Sequence, residues 1–180
     1  MINKFEFKRK LLHILVGILF ILIVIYFPHA KLFLFIVLLA GIITSTLSTK
    51  IKIPLITNCI CTFERKQNQN FPGKSVLFFF AGSLLSLFLF EKNIALASIT
   101  ILTFADPISH LIGFNFGKIK IKNKNLEGAI AGALCGSLAA LFFVPFYLSF
   151  IASIIYFAID LIEIKIDDNL LIPIITGAIM

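Results

Sequence analysis

The sequence has little charge and very little cysteine. Only 14% of its 180 residues are charged and nine are acidic, whereas 59% are hydrophobic and the mean hydropathy is +1.05. A chain with so few charged groups cannot hide its apolar surface in one water-soluble core, which excludes an ordinary soluble domain and points to an integral membrane protein. The three cysteines are equally restrictive. Cys59 and Cys61 form a C-x-C pair and Cys135 stands in an apolar run. That supports neither a disulfide framework nor a paired zinc-knuckle spacing, and inert thiols are the simpler reading. Internal repeats, Gly/Ser linkers and low-complexity tracts are also missing, which leaves residues 1–180 as a single integral membrane domain.

What is present is a series of apolar runs, at 11–27, 32–48, 75–90, 94–112, 129–146, 148–162 and 170–180. A bilayer core about 30 Å thick takes roughly 20 helical residues, and shorter runs are tolerated where the protein tilts or thins its surroundings. The expected fold is all-α and polytopic, a bundle of six to seven transmembrane helices, with the last two runs the shortest. With the N-terminus inside, all of the 16 basic residues except Lys31 and Lys92 fall on the inner side, so the N-terminus is expected in the cytoplasm. The opening "KFEFKRK" before an apolar stretch has the look of a signal peptide. The run 11–27 is long for its hydrophobic region, however, and no small-residue cleavage site follows, so it is read as a retained first span. The outer loops "FPHAK" and "FEKN" are too short to build a site. Any chemistry belongs on the cytoplasmic face, most naturally of a prokaryotic plasma membrane.

The inner polar stretches each have a plain reading and a chemical one. In "EFKRKLLH", Arg9 and Lys10 first of all set topology and meet anionic headgroups, while His13 shares their helix face just inside the apolar boundary. In "FPGKS", Lys74 is an interfacial lysine after a turn. Equally, Gly73 lets backbone N–H groups approach a phosphate that Lys74 would neutralise near a helix N-terminus. It is not a Walker A loop, because the preceding glycine and its spacing are missing. Asp106 closes an apolar span, where an acid is expensive to desolvate and functional by default. Pro107 should bend the helix there, and His110 follows one turn on.

The run "KIKIKNKN" alternates strictly, which predicts a short β-hairpin in the 117–125 loop with its lysines on one face. It is a ribbon for anionic lipid, or a source of one or two lysines for a polyphosphate, Lys124 foremost. Glu127 opens a helix, where N-terminal capping competes with metal binding. Asp160, Glu163, Asp167 and Asp168 gather near the C-terminus. They are solvated loop acids, or hard oxygen ligands for Mg²⁺ bridging phosphates, opposite an excess of lysine on the same face. Lysines, glycine turns, carboxylates and one metal are the recurring parts of a phosphoryl-transfer site.

Taken in order, E-x-x-R-K-x-x-H (Glu6, Arg9, Lys10, His13), P-G-K (Pro72, Gly73, Lys74), D-P with two following glycines (Asp106, Pro107, Gly113, Gly117), K-x-x-E-G (Lys124, Glu127, Gly128) and D-D-N-L-x-x-P (Asp167, Asp168, Asn169, Leu170, Pro173) make a pattern. It resembles the CTP-dependent lipid-alcohol kinases, the family of dolichol kinase, phytol kinase and the yeast-type diacylglycerol kinase. The resemblance runs nearly the full length. It implies transfer of the γ-phosphate of CTP, with Mg²⁺ or another divalent cation, to a membrane lipid alcohol: a polyprenol or dolichol, a phytol-like isoprenoid alcohol or diacylglycerol.

The resemblance further implies that Arg9, Lys10, Gly73, Lys74, Gly113, Gly117, Lys124, Glu127 and Gly128 bind the nucleotide. Asp106, Asp167, Asp168 and Glu127 would hold the metal. Asp106, His13, Asp167 and Asp168 would serve catalysis, a carboxylate or His13 orienting the alcohol or taking its proton. The chain departs from the family at Ser75 and Ala105, where glycine is usual, at Ala129, where Ser or Thr often stands, and at Asp160, where Glu is usual and Glu163 could substitute. Partners are the lipid alcohol, CTP and the bilayer, and no nucleic acid is expected. A cytidylyltransferase attacking the α-phosphate, and a non-enzymatic transporter or scaffold, are the alternatives. The D-G-x-x-A-R pattern of CDP-alcohol phosphotransferases is absent.

Overall fold

A computed structural model describes residues 4–48, 71–122, 124–162 and 166–180. Cys59, Cys61 and Glu163 lie outside the described residues. Among the described residues the chain forms seven helices and one small hairpin. They are α1 (Lys4–Tyr26), α2 (Ala30–Ser48), α3 (Lys74–Leu89), α4 (Lys92–Phe116), strands β1 (Lys120–Ile121) and β2 (Lys124–Asn125), α5 (Leu126–Ala140), α6 (Phe146–Leu161) and α7 (Asp168–Ile179). The fold is all-α, and the hairpin falls inside the 117–125 loop.

Helix count and span count part company. α1, α2 and α4 are long and apolar enough to cross a membrane. The other four have 12 to 16 residues, about 18 to 24 Å at the helical rise, less than a bilayer core of about 30 Å. Among the described residues, length and composition thus qualify three helices, against the six to seven spans expected.

Helix ends also differ from run ends, for local reasons. α1 starts well before its apolar run, because "KFEFKRK" is rich in good helix formers and Glu6 places a carboxylate in the first turn. α4 passes through Pro107 and continues to Phe116, where the Gly117 N–H donates to the Gly113 carbonyl at 3.0 Å. The apolar run 129–146 is divided: α5 ends at Ala140, and α6 begins behind Pro145, which cannot continue a preceding helix.

α4 is the axis of the bundle. It packs against α1, α3, α5, α6 and α7, and Leu96, Ile99, Ile101 and Leu102 on it are fully enclosed. Its most extensive interface is with α5, where Gly128, Gly132 and Gly136 form a small-residue stripe at every fourth position. A methyl at Gly132 would stand 2.6 Å from the Ala105 carbonyl oxygen, and one at Gly136 would stand 3.0 Å from Ala105 Cβ. Such stripes let helix backbones approach closely where no water-driven hydrophobic effect holds helices together. Hydroxyl pairs join neighbouring helices: Ser86 with Ser98 between α3 and α4 at 2.8 Å, and Ser137 with Ser149 between α5 and α6 at 3.1 Å. The outer surfaces of α1 and α2 are apolar, with Leu15, Leu19, Leu22, Phe33, Ile36 and Ile43 all exposed.

Candidate functional site

At one end of the bundle, the second turn of α1 and the first turns of α3 and α7 meet the C-terminal half of α4 and strand β2. They enclose a polar cavity of about 400 Å³. α1 contributes Arg9 and Lys10, α3 contributes Lys74 and Ser75, and α4 contributes Asp106 and His110. β2 contributes Lys124, and the entry to α7 contributes Ile166, Asp167, Asp168 and Asn169.

Lys10 and Asp106 form the deepest pair in the wall. Lys10 is only 6% exposed, and its Nζ lies 2.6 Å from Asp106 Oδ2. Each is the other's compensation for leaving water, because a single charge at that depth would carry a desolvation cost of several kcal/mol. Around them, Arg9 bonds Glu6 at 2.8 Å, one helical turn away, and His110 Nε2 stands 3.9 Å from the same Glu6 oxygen. His13 is set back from the cavity wall. Its ring meets Phe79 edge-to-face at 5.1 Å, and its buried Nε2 has no hydrogen-bond partner among the described residues.

On the opposite wall Lys124 bonds two acids, Asp160 Oδ1 at 2.6 Å and Asp168 Oδ2 at 3.4 Å. Asp160 is 3% exposed, and its second oxygen accepts a hydrogen bond from Ser109 Oγ at 2.6 Å. Burial alone would lower the pKa of Lys124. Asp160 first, then Asp106 and Asp168, outweigh that and hold it above the ordinary lysine value, so the ammonium stays charged.

Lys74 is held at the cavity mouth by its turn. Gly73 has φ of 78°, the left-handed region that glycine enters without penalty. The Pro72 carbonyl accepts a 2.6 Å bond from Ser45 of α2, which ties the turn to the bundle. Lys74 Nζ sits 5.4 Å above the Phe78 ring. At the entry to α7, Asp167 caps the helix, its Oδ1 accepting from both Asn169 N and Asn169 Nδ2 at 3.1 Å.

Of the residues expected from sequence, Arg9, Lys10, Lys74, Asp106, Lys124, Asp167 and Asp168 line this one cavity. Gly73 supports it from the turn before Lys74. Gly113, Gly117, Gly128 and Glu127 are occupied elsewhere. A methyl at Gly128 would overlap the Ser109 carbonyl and the Gly113 backbone, and one at Gly117 would meet the Asn125 side chain. Asn125 in turn donates to the Gly113 carbonyl at 2.7 Å. These glycines seat the hairpin and α5 against the end of α4, and the Gly117 amide is already committed to Gly113. Glu127 closes the hairpin, both oxygens accepting from the Ile119 N–H at 3.1 and 3.3 Å.

Asp160 was visible in the sequence as one acid of a cluster, but its partners Ser109 and Lys124 were not. Asn169 was read as a member of the D-D-N-L-x-x-P motif and Ser75 as a departure from the family's glycine. The helical stripe Gly128, Gly132, Gly136 was legible from its spacing alone and would have placed α5 against another helix.

A resident metal needs several hard ligands. Among the described residues no group of three or more His, Cys, Asp or Glu side chains is arranged to hold one. Asp160 has one oxygen bonded to Lys124 and the other to Ser109, and Asp167 has its Oδ1 bonded to Asn169. The donor set fits instead a cation that arrives on a polyphosphate and needs only one or two protein carboxylates. Asp106, Asp167 and Asp168, on the cavity wall, are the residues in position to supply them.

No known family profile matches the chain, and no solved structure does. It is 32% identical over 182 residues to the uncharacterized protein MJ1137 of Methanocaldococcus jannaschii, an alignment that spans 97% of this chain and 92% of that protein. On that identity and coverage, the chain belongs to the same family as MJ1137.

Proposed function

We propose that the protein is a multi-pass membrane enzyme, N-terminus in the cytoplasm, that transfers a phosphoryl group from CTP to a membrane lipid alcohol. The membrane part of this reading is supported by the three long apolar helices and the exposed apolar faces of α1 and α2. The shorter helices fit the same bundle by tilting or by local thinning of the bilayer. The cation distribution supports the orientation.

The observation that carries the catalytic reading is the convergence of Lys10, Lys74, Asp106, Lys124 and Asp168 on one cavity, from five separate elements. A phosphoryl-transfer site needs fixed cations to spread the charge of the transferred group and carboxylates to hold the accompanying cation. Asp106 and Asp168 would hold the divalent cation that accompanies the nucleotide, and that cation would supply further charge neutralisation at the phosphates. Lys74 and Lys124 would bracket the phosphates, one from α3 and one from the hairpin. Asp106, paired with Lys10, would face the incoming hydroxyl. In the reaction the alcohol oxygen bonds to the γ-phosphorus, the β–γ bridging P–O bond breaks, and CDP leaves. The hydroxyl proton goes to a carboxylate of the cavity wall. Most of the rate comes from positioning and charge neutralisation, and both are properties of the wall residues.

The test is an assay of purified protein with Mg²⁺, mixed lipid alcohols, and CTP labelled at either the γ- or the α-phosphate. Label from the γ position entering lipid supports the kinase, and the chain length of the product names the alcohol. Label from the α position entering lipid would replace this reading with a cytidylyltransferase. Transfer from neither would leave a transporter or scaffold.

A further inference from the structure

The acid that the proposed reaction does not use is the most completely engaged one near the cavity. Asp160, on the last turn of α6, is 3% exposed and does not line the cavity. Oδ1 accepts from Lys124 Nζ at 2.6 Å and Oδ2 accepts from Ser109 Oγ at 2.6 Å. With both oxygens committed to the protein, Asp160 is poorly placed to act as base or metal ligand. Ser109, its second partner, lies three residues beyond Asp106 on α4, so Asp160 links the strand that carries Lys124 to the helix that carries Asp106.

We propose that Asp160 is a positioning residue, which with Ser109 fixes the Lys124 ammonium at the cavity wall as the principal site for a phosphate of a polyphosphate ligand. The inference rests on reading the cavity as a polyphosphate site. An ammonium has three donors. One goes to Asp160 and a longer one to Asp168, and Asp168 itself lines the cavity, so a phosphate can displace that second bond while the first persists. A lysine stem is flexible and loses considerable rotamer entropy when it is ordered. A buried anchor that pre-pays this ordering makes the free donor more effective toward the ligand.

The proposal has a sign that simple electrostatics does not share. Removing a negative charge beside an anion site strengthens anion binding if charge alone matters. If Asp160 acts by holding Lys124, removing it weakens binding. The measurement is calorimetric binding of inorganic tripolyphosphate to the full-length protein in detergent, for the parent, Asp160→Asn, Lys124→Met and the double variant, with thermal unfolding recorded for each. Asp160→Asn and Lys124→Met should each weaken binding about ten- to a hundredfold, the range for hydrogen bonds to charged groups. The double variant should bind no worse than Lys124→Met alone, because Asp160 works only through that lysine.

Equal or tighter binding by Asp160→Asn, or additive losses in the double variant, overturns the proposal. A lowered unfolding midpoint with unchanged affinity overturns it too, since that is what a purely structural acid would give. If Asp160→Asn does not fold, Ser109→Ala keeps every charge and must weaken binding in the same direction; unchanged affinity there sinks the idea. Parent protein that binds tripolyphosphate but transfers no label from CTP would remove the kinase reading and leave this inference standing. Parent protein that binds no tripolyphosphate would remove both.

Discussion

Lys10 Nζ lies 2.6 Å from Asp106 Oδ2, a contact between the second turn of α1 and the middle of α4 made by residues 96 positions apart. Both side chains are largely withdrawn from solvent. Breaking such a pair from one side leaves a buried charge with no compensation, which typically costs about 3 to 5 kcal/mol. Lys10→Met should therefore destabilise the protein by about 3 kcal/mol, and adding Asp106→Asn to it should restore much of that loss. Thermal unfolding of the four members of the cycle checks this. Additive losses would mean that the two groups do not depend on each other.

Turnover should depend steeply on the cavity cations and acids. Asp106→Asn and Lys74→Ala are each expected to lower kcat/KM by about two orders of magnitude or more, since positioning and charge neutralisation dominate phosphoryl transfer. Residual activity within a few-fold of the parent in both variants would show that this cavity is not the active site.

The turn before α3 should tolerate few residues. Gly73 adopts φ of 78°, a backbone conformation that strains any side chain placed there whatever the space around it. Gly73→Ala should cost about 1 to 2 kcal/mol, and Gly73→Asn less, because asparagine visits the left-handed region more readily. Unfolding midpoints of the two variants decide it, and equal losses would mean that something other than φ selects glycine there.

The α4–α5 seam should be sensitive to a single methyl. At Gly132 that methyl would face the Ala105 carbonyl at 2.6 Å and Ser109 Cβ at 2.8 Å, both on the helix that carries Asp106. Gly41 is the control, where among the described residues the close atom is the flexible end of Leu77. Gly132→Ala should cost about 1 to 3 kcal/mol, the usual range for overpacking, and lower activity with it, while Gly41→Ala stays near the parent. Indistinguishable unfolding curves would argue that α5 packs less tightly than described.

Orientation can be read by labelling. In a background with the three cysteines replaced by serine, Lys92→Cys should react with an impermeant maleimide added to intact cells, and Lys118→Cys only after the membrane is opened. The reverse pattern would invert the topology.

Much of the secondary structure could be read directly along the chain. Apolar runs and the alternating lysines predict helices and the hairpin, because each reflects a local preference of neighbouring residues. Helix ends were less legible. α1 starts outside its apolar run and the run 129–146 is split, since backbone hydrogen bonding does not follow hydropathy. The charged motifs were equally legible as a set, yet their division of labour was not. Gly113, Gly117, Gly128 and Glu127 carry the same residue types a phosphate or metal site would use, and tertiary packing commits them to seating the hairpin and α5.

The sequence by itself determined that this chain is apolar and helical and that its cations and acids collect in a few short stretches, because composition and hydropathy act over neighbouring residues. Only the tertiary structure decided that Lys10 meets Asp106, that Lys124 meets Asp160, and that Ser109 completes the second group. Those pairings join residues 36 to 96 positions apart. A charge or hydroxyl removed from water takes whatever partner helix packing brings within a few ångströms, and helix packing is a property of the whole chain.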